Sequence, residues 1–141
     1  MRQSLNPYIE YQSNQVNTAD QKQLVIMLYD GAIKFLNESI GFLDNYKTYD
    51  QANAKIVRVQ EIISELMISL DMEKGGEIAQ NLFNLYAFMK QQLLDANIKK
   101  EPAPIKQVIK MLNELSQAWK NMKNDSKPDD NSIGQGFALR G

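Results

Sequence analysis

The stretch Leu-Val-Ile-Met-Leu-Tyr-Asp-Gly at residues 24–31 decides the fold, because it opens a helix with apolar residues on more than one side. One stripe at helical spacing contains Leu24, Leu28, Phe35 and Phe42. A second stripe along the same helix contains Val25, Ala32, Leu36, Ile40 and Leu43. A helix on the surface of a small bundle needs only one apolar stripe. The second stripe therefore predicts either a helix at the centre of a bundle or a surface kept for a partner.

Two helices are predicted in the first half of the chain. The first runs from about Thr18 to about Asn45, and the segment Thr-Ala-Asp-Gln at residues 18–21 is typical of a capping box. Asp50 is a suitable N-cap for the second helix. That helix carries apolar residues at alternating spacings of three and four, a seam typical of antiparallel helix packing, at Ile56, Val59, Ile63, Leu66 and Leu70.

Two more helices follow, separated by glycine and proline signals. Lys-Gly-Gly at residues 74–76 interrupts the pattern, since glycine readily closes a helix end. The third helix continues to about Asn97, and Pro102 and Pro104 suit the first turn of the fourth. Four long helices with short connections predict an all-α fold, an antiparallel up-down-up-down four-helix bundle.

The two ends of the chain differ from this bundle. Residues 1–17 are polar with scattered apolar anchors and are expected to form an arm that packs on the bundle. Residues 18–122 form the bundle itself. Residues 123–141 are rich in Asn, Asp, Lys and Gly and are expected to be a disordered tail, because they bury too little apolar area to offset the entropy of ordering.

The composition excludes several classes of function. The 141 residues contain neither Cys nor His, so thiol nucleophiles, thiolate metal sites, imidazole ligands and the commonest general base are absent. Enzymatic activity, a metal and a cofactor are therefore not expected. A net charge of −1 disfavours nucleic-acid binding, which depends on Lys and Arg neutralising phosphates. No apolar run approaches the roughly 20 residues that span a bilayer, and no signal peptide is evident, so we expect a cytoplasmic protein.

Several short motifs stand in a specific order and spacing over almost all of the chain up to about Met122. These are Asn-Pro-Tyr-Ile-Glu-Tyr-Gln at 6–12, Val-Asn-Thr-Ala at 16–19, Met-Leu-Tyr-Asp-Gly at 27–31, Lys-Gly-Gly-Glu-Ile-Ala at 74–79, Leu-Tyr-x-Phe-Met at 85–89, Ala-Asn at 96–97 and Ala-Trp-Lys at 118–120. With these motifs the sequence resembles the flagellar secretion chaperone family, FliS.

The resemblance implies a cytoplasmic helical bundle that binds the C-terminal segment of newly made flagellin. Such a chaperone holds that disordered segment in a helical, elongated form in hydrophobic surface grooves, prevents premature polymerisation and assists delivery to the flagellar export apparatus. The N-terminal arm, with Tyr8, Tyr11 and Gln12 at the matching positions, is implied to cover part of the groove when flagellin is absent.

Other apolar residues are expected to bind flagellin or to pack beneath the arm, although spacing alone leaves open which line a groove and which fill the core. These are Leu24, Met27 and Leu28 on the first helix and Ile56, Ile62, Ile63, Leu66 and Met67 on the second. Ile62 and Met67 are expected beside the apolar seam. The alternative is a self-assembling structural or adaptor bundle, since exposed apolar patches commonly mark interfaces. A monomer or a weak homodimer with exchanged arms is compatible with the chaperone function.

Overall fold

The computed structural model describes residues 18–122 and consists of four long helices joined by short turns. The helices are α1 (Thr18–Phe42), α2 (Tyr49–Ile68), α3 (Met72–Lys99) and α4 (Pro102–Lys120), with one turn of 3-10 helix at Tyr46–Thr48 between α1 and α2. The predicted all-α four-helix bundle is confirmed. The arm at 1–17 and the tail at 123–141 lie outside the described residues and stay predictions.

The helices form a closed square in which each one packs against two neighbours. α1 packs against α2 and α4, and α3 packs against the same two helices, so α1 and α3 lie across the diagonal. Neighbouring helices are antiparallel, because the start of one meets the end of the next. Lys55 near the start of α2 is 2.9 Å from Glu38 near the end of α1. Lys22 Nζ at the start of α1 donates to the backbone carbonyl of Met122 after α4.

The turn between α1 and α2 differs slightly from the prediction. α1 ends at Phe42 rather than near Asn45, and the Asn45 side chain accepts a hydrogen bond from the backbone N–H of Lys47. The Thr48 hydroxyl donates to the carbonyl of Phe42, which satisfies one of the orphan acceptors at the end of α1. The predicted N-cap at Asp50 is wrong. α2 already begins at Tyr49, so Asp50 lies in its first turn. Its negative charge there interacts favourably with the positive end of the helix dipole.

The glycine pair near the start of α3 interrupts the helical backbone, as predicted, and separates a capped first turn at residues 72–75 from the long part of α3. The Asp71 side chain caps this helix by accepting from the backbone N–H groups of Glu73 and Lys74. Gly76 has φ 53° and ψ −130°, a conformation that glycine adopts at low cost and that kinks α3 one turn after its start. The helix continues to Lys99, two residues beyond the expected end, and Lys100 terminates it in the left-handed region with φ 57°.

The core is formed by one apolar stripe from each helix. All five residues of the predicted α2 seam are buried, as are Ile105, Val108, Leu112 and Trp119, which recur at helical spacing along α4. α1 contributes Val25, Ala32, Leu36 and Leu43 from its second stripe, so that stripe faces the centre of the bundle. The first stripe of α1 is only half-buried, at Leu24, Leu28, Phe35 and Phe42.

A polar contact crosses the centre of the bundle. The hydroxyls of Tyr29 on α1 and Tyr86 on α3 are 2.6 Å apart in a buried hydrogen bond, and Trp119 lies edge-on to Tyr29 with ring centroids 6.4 Å apart. Burial raises the pKa of Tyr29 to about 12, although hydrogen bonds from Tyr86 and Trp119 lower it in part. Burial likewise raises the pKa of Tyr86 well above its ordinary value. Both hydroxyls are therefore neutral at physiological pH, and the contact joins three helices.

A second polar contact fixes α4 against α1 at the edge of this centre. The buried Ser116 hydroxyl donates to Asp30 at 3.0 Å, and the Lys120 ammonium is 3.5 Å from the other oxygen of the same carboxylate. Asp30 directly follows Tyr29 and Trp119 directly precedes Lys120 in the sequence. The Tyr29–Trp119 ring contact and the polar contacts of Asp30 with Ser116 and Lys120 therefore hold α1 and α4 in one and the same axial register.

We expect Tyr29→Phe and Tyr86→Phe each to destabilise the bundle by about 1–3 kcal/mol, since each change leaves the other buried hydroxyl without its hydrogen-bond partner. Urea unfolding followed by circular dichroism measures both values. Tyr46→Phe, at a site 73% exposed, is the control. Equal stability of all three variants would contradict the central role of this contact.

Candidate functional site

Large apolar side chains are exposed mainly on α3. Among the described residues, ten such side chains are exposed, and six of them belong to this helix: Met72, Ile78, Phe83, Phe88, Leu94 and Ile98. α1 contributes Met27, and α2 contributes Val57 and Ile68, while α4 contributes none. An apolar surface concentrated on one helix and its neighbours is typical of a site for a protein partner.

Five of the exposed side chains lie along the junction of α2 and α3, which we call the α2–α3 groove. Lys90 Nζ of α3 donates to Ser64 Oγ of α2 at 2.6 Å, and Asn97 Nδ2 of α3 donates to Asn53 Oδ1 of α2 at 2.7 Å. These two bridges identify the facing sides of the two helices. The exposed residues at helical spacing from the bridges line the groove, namely Val57 and Ile68 on α2 and Phe83, Leu94 and Ile98 on α3.

The apolar surface also extends to another side of α3. Phe88 is 42% exposed and follows Phe83 by five positions, which places it about 140° away around the helix. The exposed residues Asn84 and Gln91 lie within this arc, and the buried residues Tyr86, Met89 and Leu93 lie on the opposite side of the helix. α3 therefore presents apolar side chains on both flanks of its core stripe, so a partner that contacts both flanks must wrap around the helix.

A separate apolar patch, which we call the α1 patch, lies at the start of α1 and contains Leu24, Met27 and Leu28. Met27 is 58% exposed, and the two leucines are half-buried. Further along α1 the side of the helix that faces α2 is covered, because the Lys55 ammonium lies 5.1 Å above the Phe35 ring and pairs with Glu38. Hydrogen bonding to Lys55 lowers the pKa of Glu38, so the pair is charged. The Lys55–Glu38 pair therefore separates the α1 patch from the later part of this side of α1.

Four of the predicted site residues are core residues. Ile56 and Ile63 are completely buried, and Ile62 and Leu66 are at most 4% exposed. They hold α2 against its neighbours, so of the two positions that the spacing left open, groove or core, they occupy the core. Ile62 in particular was expected beside the seam. It is buried because the packing arc of α2 is wider than the heptad seam alone.

The remaining predicted residues have mixed positions. Leu24, Met27 and Leu28 lie together in the α1 patch, and Met67 on α2 is half-buried against the core. Tyr8, Tyr11 and Gln12 lie outside the described residues, so their placement stays a prediction.

Several residues of the α2–α3 groove do not follow from apolar periodicity alone. Phe83 and Leu94 each follow a buried leucine of α3, but Val57 lies off the α2 seam, Lys90 is charged, and Ile98 stands between Asn97 and Lys99. A usable signal was the seven-residue spacing of Phe83, Lys90 and Asn97, which places all three on one side of the helix. Which neighbour that side faces became evident only from the bridges to α2.

Comparison with known proteins decides the family. A model of the family described as flagellar protein FliS matches residues 4–126. The chain belongs to the FliS family. Flagellar secretion chaperone FliS from Bacillus subtilis is 30% identical over 129 residues, covering 92% of this chain and 95% of that protein. The FliS of Salmonella typhimurium is 36% identical over 107 residues, covering 76% and 79%, and that of Vibrio cholerae is 33% identical over 120 residues, covering 84% and 88%.

FliS is a family of flagellar secretion chaperones and not an enzyme family. Within residues 18–122, none of the four helices is both long and apolar enough to span a membrane. No group of three or more acidic side chains in this range is arranged to hold a metal ion.

We expect Ile62→Glu to destabilise the bundle by more than about 3 kcal/mol, because it buries a charge without a partner. Ile98→Glu makes the same chemical change at a site 69% exposed, and we expect its effect to stay within about 0.5 kcal/mol. Urea unfolding of the two variants compares them directly. Similar losses of stability would show that the exposed residues of α3 are structural and would weaken their assignment to a binding surface.

Proposed function

We propose that this protein is a cytoplasmic chaperone that binds the C-terminal segment of flagellin along α3 and its neighbours, prevents premature polymerisation and assists delivery to the flagellar export apparatus. The observation that carries the proposal is the exposure of six large apolar side chains on α3 while the core beneath is complete. These side chains are not needed to close the bundle. They are available to a segment that becomes ordered on binding.

The geometry favours an elongated helical client over a compact one. An amphipathic helix places apolar residues at one-turn spacing, and a groove between two helices accepts such a row. In the α2–α3 groove, Phe83, Leu94 and Ile98 span a distance of about 22 Å, at 1.5 Å of helix rise per residue. A disordered client can cover this groove and then continue to the side of Phe88, since such segments wrap large surfaces at the cost of their ordering entropy.

A self-associating bundle is the second candidate, supported by the same exposed side chains. It differs from the chaperone proposal in what covers α3: a second copy of the chain instead of a client. Sedimentation of the protein over a wide concentration range distinguishes the two. A monomer across this range excludes self-association through α3, whereas a tight dimer that a flagellin peptide does not dissociate would overturn the chaperone proposal.

Titration calorimetry with a peptide of the last forty or so residues of flagellin from the same organism tests the proposal. We expect saturable one-to-one binding, a negative heat-capacity change from apolar burial and a gain of helix in the circular dichroism of the mixture. The double variant Leu94→Gln/Ile98→Gln should bind at least about tenfold more weakly, since burial of an aliphatic side chain contributes about 1.5–3 kcal/mol.

Tyr46→Gln is the matched control, because it removes an equally exposed apolar side chain from the turn between α1 and α2. It should bind like the unaltered protein. No binding by the unaltered protein, or binding with no gain of helix, would contradict the proposed function.

We further propose that residues 1–17 cover apolar surface when the client is absent. This is supported by their junction with α1 at Thr18, only six residues before Leu24 of the α1 patch. Deletion of residues 1–17 should increase the fluorescence of an apolar dye and strengthen client binding, because the client no longer displaces the arm. Deletion of 123–141 is the control. Unchanged dye fluorescence and unchanged affinity in the first deletion would show that the arm is not a cover.

A further inference from the structure

The α2–α3 groove contains a cation on its floor. Lys90 is half-buried between Phe83 and Leu94 on the same side of α3, and its ammonium donates one hydrogen bond to Ser64 across the groove. The groove-lining residues Asn53, Val57, Ile68, Phe83, Leu94, Asn97 and Ile98 are uncharged. The exposed Glu61, one turn from both Val57 and Ser64 on the same side of α2, pairs with Arg58 at 3.8 Å and not with Lys90.

A helix seated in this groove must cover Lys90. An ammonium has three donors, and the contact with Ser64 uses one of them. Covering the other two with apolar side chains would remove a charge from water without compensation, which is costly. A carboxylate on the client offsets this cost by pairing with the ammonium and accepting the free donors.

We propose that Lys90 is a specificity-determining residue that selects client helices with an Asp or Glu on their apolar face, at the level of Lys90. This inference rests on the proposed function and names the chemistry of the client at the same groove. The acid is flanked by apolar residues three or four positions away on each side, which meet Phe83 and Leu94. A client helix without the acid binds more weakly, because it covers the Lys90 ammonium without giving it a charged partner.

The Asn53–Asn97 bridge bounds the same groove two helical turns away. Asn97 donates to Asn53 at 2.7 Å, and its carbonyl oxygen accepts from Lys100 at 2.8 Å. The neutral Asn97 amide has both its nitrogen and its oxygen bonded within the protein and one N–H left for water, whereas the charged Lys90 ammonium keeps two donors for a partner. Of the two polar bridges in the groove, only the one at Lys90 demands a charged group from the client, so it sets the register.

The test is a set of calorimetric titrations with the flagellin C-terminal peptide, in which each Asp or Glu is replaced in turn by the matching amide. We expect one replacement to weaken binding to the unaltered protein roughly tenfold, the effect of losing a partly buried charge pair. In Lys90→Met, which keeps the apolar stem, the acid and amide forms of that peptide should bind within about twofold of each other. Lys90→Arg should retain the preference for the acid.

Lys106→Met is the control, since it removes an exposed lysine from α4 and should leave the tenfold preference unchanged. Thermal melts of all variants confirm that they fold. The inference is overturned if no single acid matters to the unaltered protein, or if the preference persists in Lys90→Met. A peptide that binds without any acid preference overturns this inference alone, whereas absence of all binding overturns the proposed function as well.

Discussion

The buried hydrogen bond between Tyr29 and Tyr86 is the interaction on which the rest of the structure depends. It joins α1 and α3, the two helices that lie across the diagonal, at a distance of 2.6 Å, and Trp119 brings α4 to the same point. Because an unpaired hydroxyl at this depth is costly, the register of the three helices is specified more sharply than apolar packing alone would specify it. With Tyr86 held at the centre, the residues flanking it on α3 are directed outward, including Phe83 and Phe88.

That constraint explains how a small bundle keeps a large apolar surface without losing its fold. The core is completed by one stripe from each helix, so the exposed side chains of α3 are additional to it. The bundle and its client differ in when they become ordered. The bundle keeps its helices ordered in the absence of the client, whereas the client is ordered only while it is bound. Within the groove, apolar contacts supply affinity, while the half-buried ammonium of Lys90 discriminates among helices of similar hydrophobicity.

Much of the fold follows from the sequence, because each helix carries a core stripe long enough to be recognised. The predicted seam of α2 and the buried stripe of α4 are both present in the core. The interruption at Gly76 follows from the glycine pair, whereas the short helical turn that Asp71 caps ahead of it was not predicted. The site was harder to predict. Ile62 and Met67 were treated alike as neighbours of the seam, yet only Ile62 is fully buried, because burial depends on where the adjacent helices lie. Lys90 became a groove residue only through its contact with Ser64.

The most direct test of the account is methyl NMR of the isotope-labelled protein bound to the unlabelled flagellin C-terminal peptide, with intermolecular nuclear Overhauser effects as the measurement. Ile68 and Ile98, and Leu94 between them in the groove, should show effects to peptide protons, because their exposed methyl groups line the proposed site. Ile56 and Ile63, which are completely buried in the same bundle, should show none and should keep their chemical shifts. Effects confined to α4, or large shifts of the buried isoleucines, would contradict the view that a preformed bundle binds its client along α3.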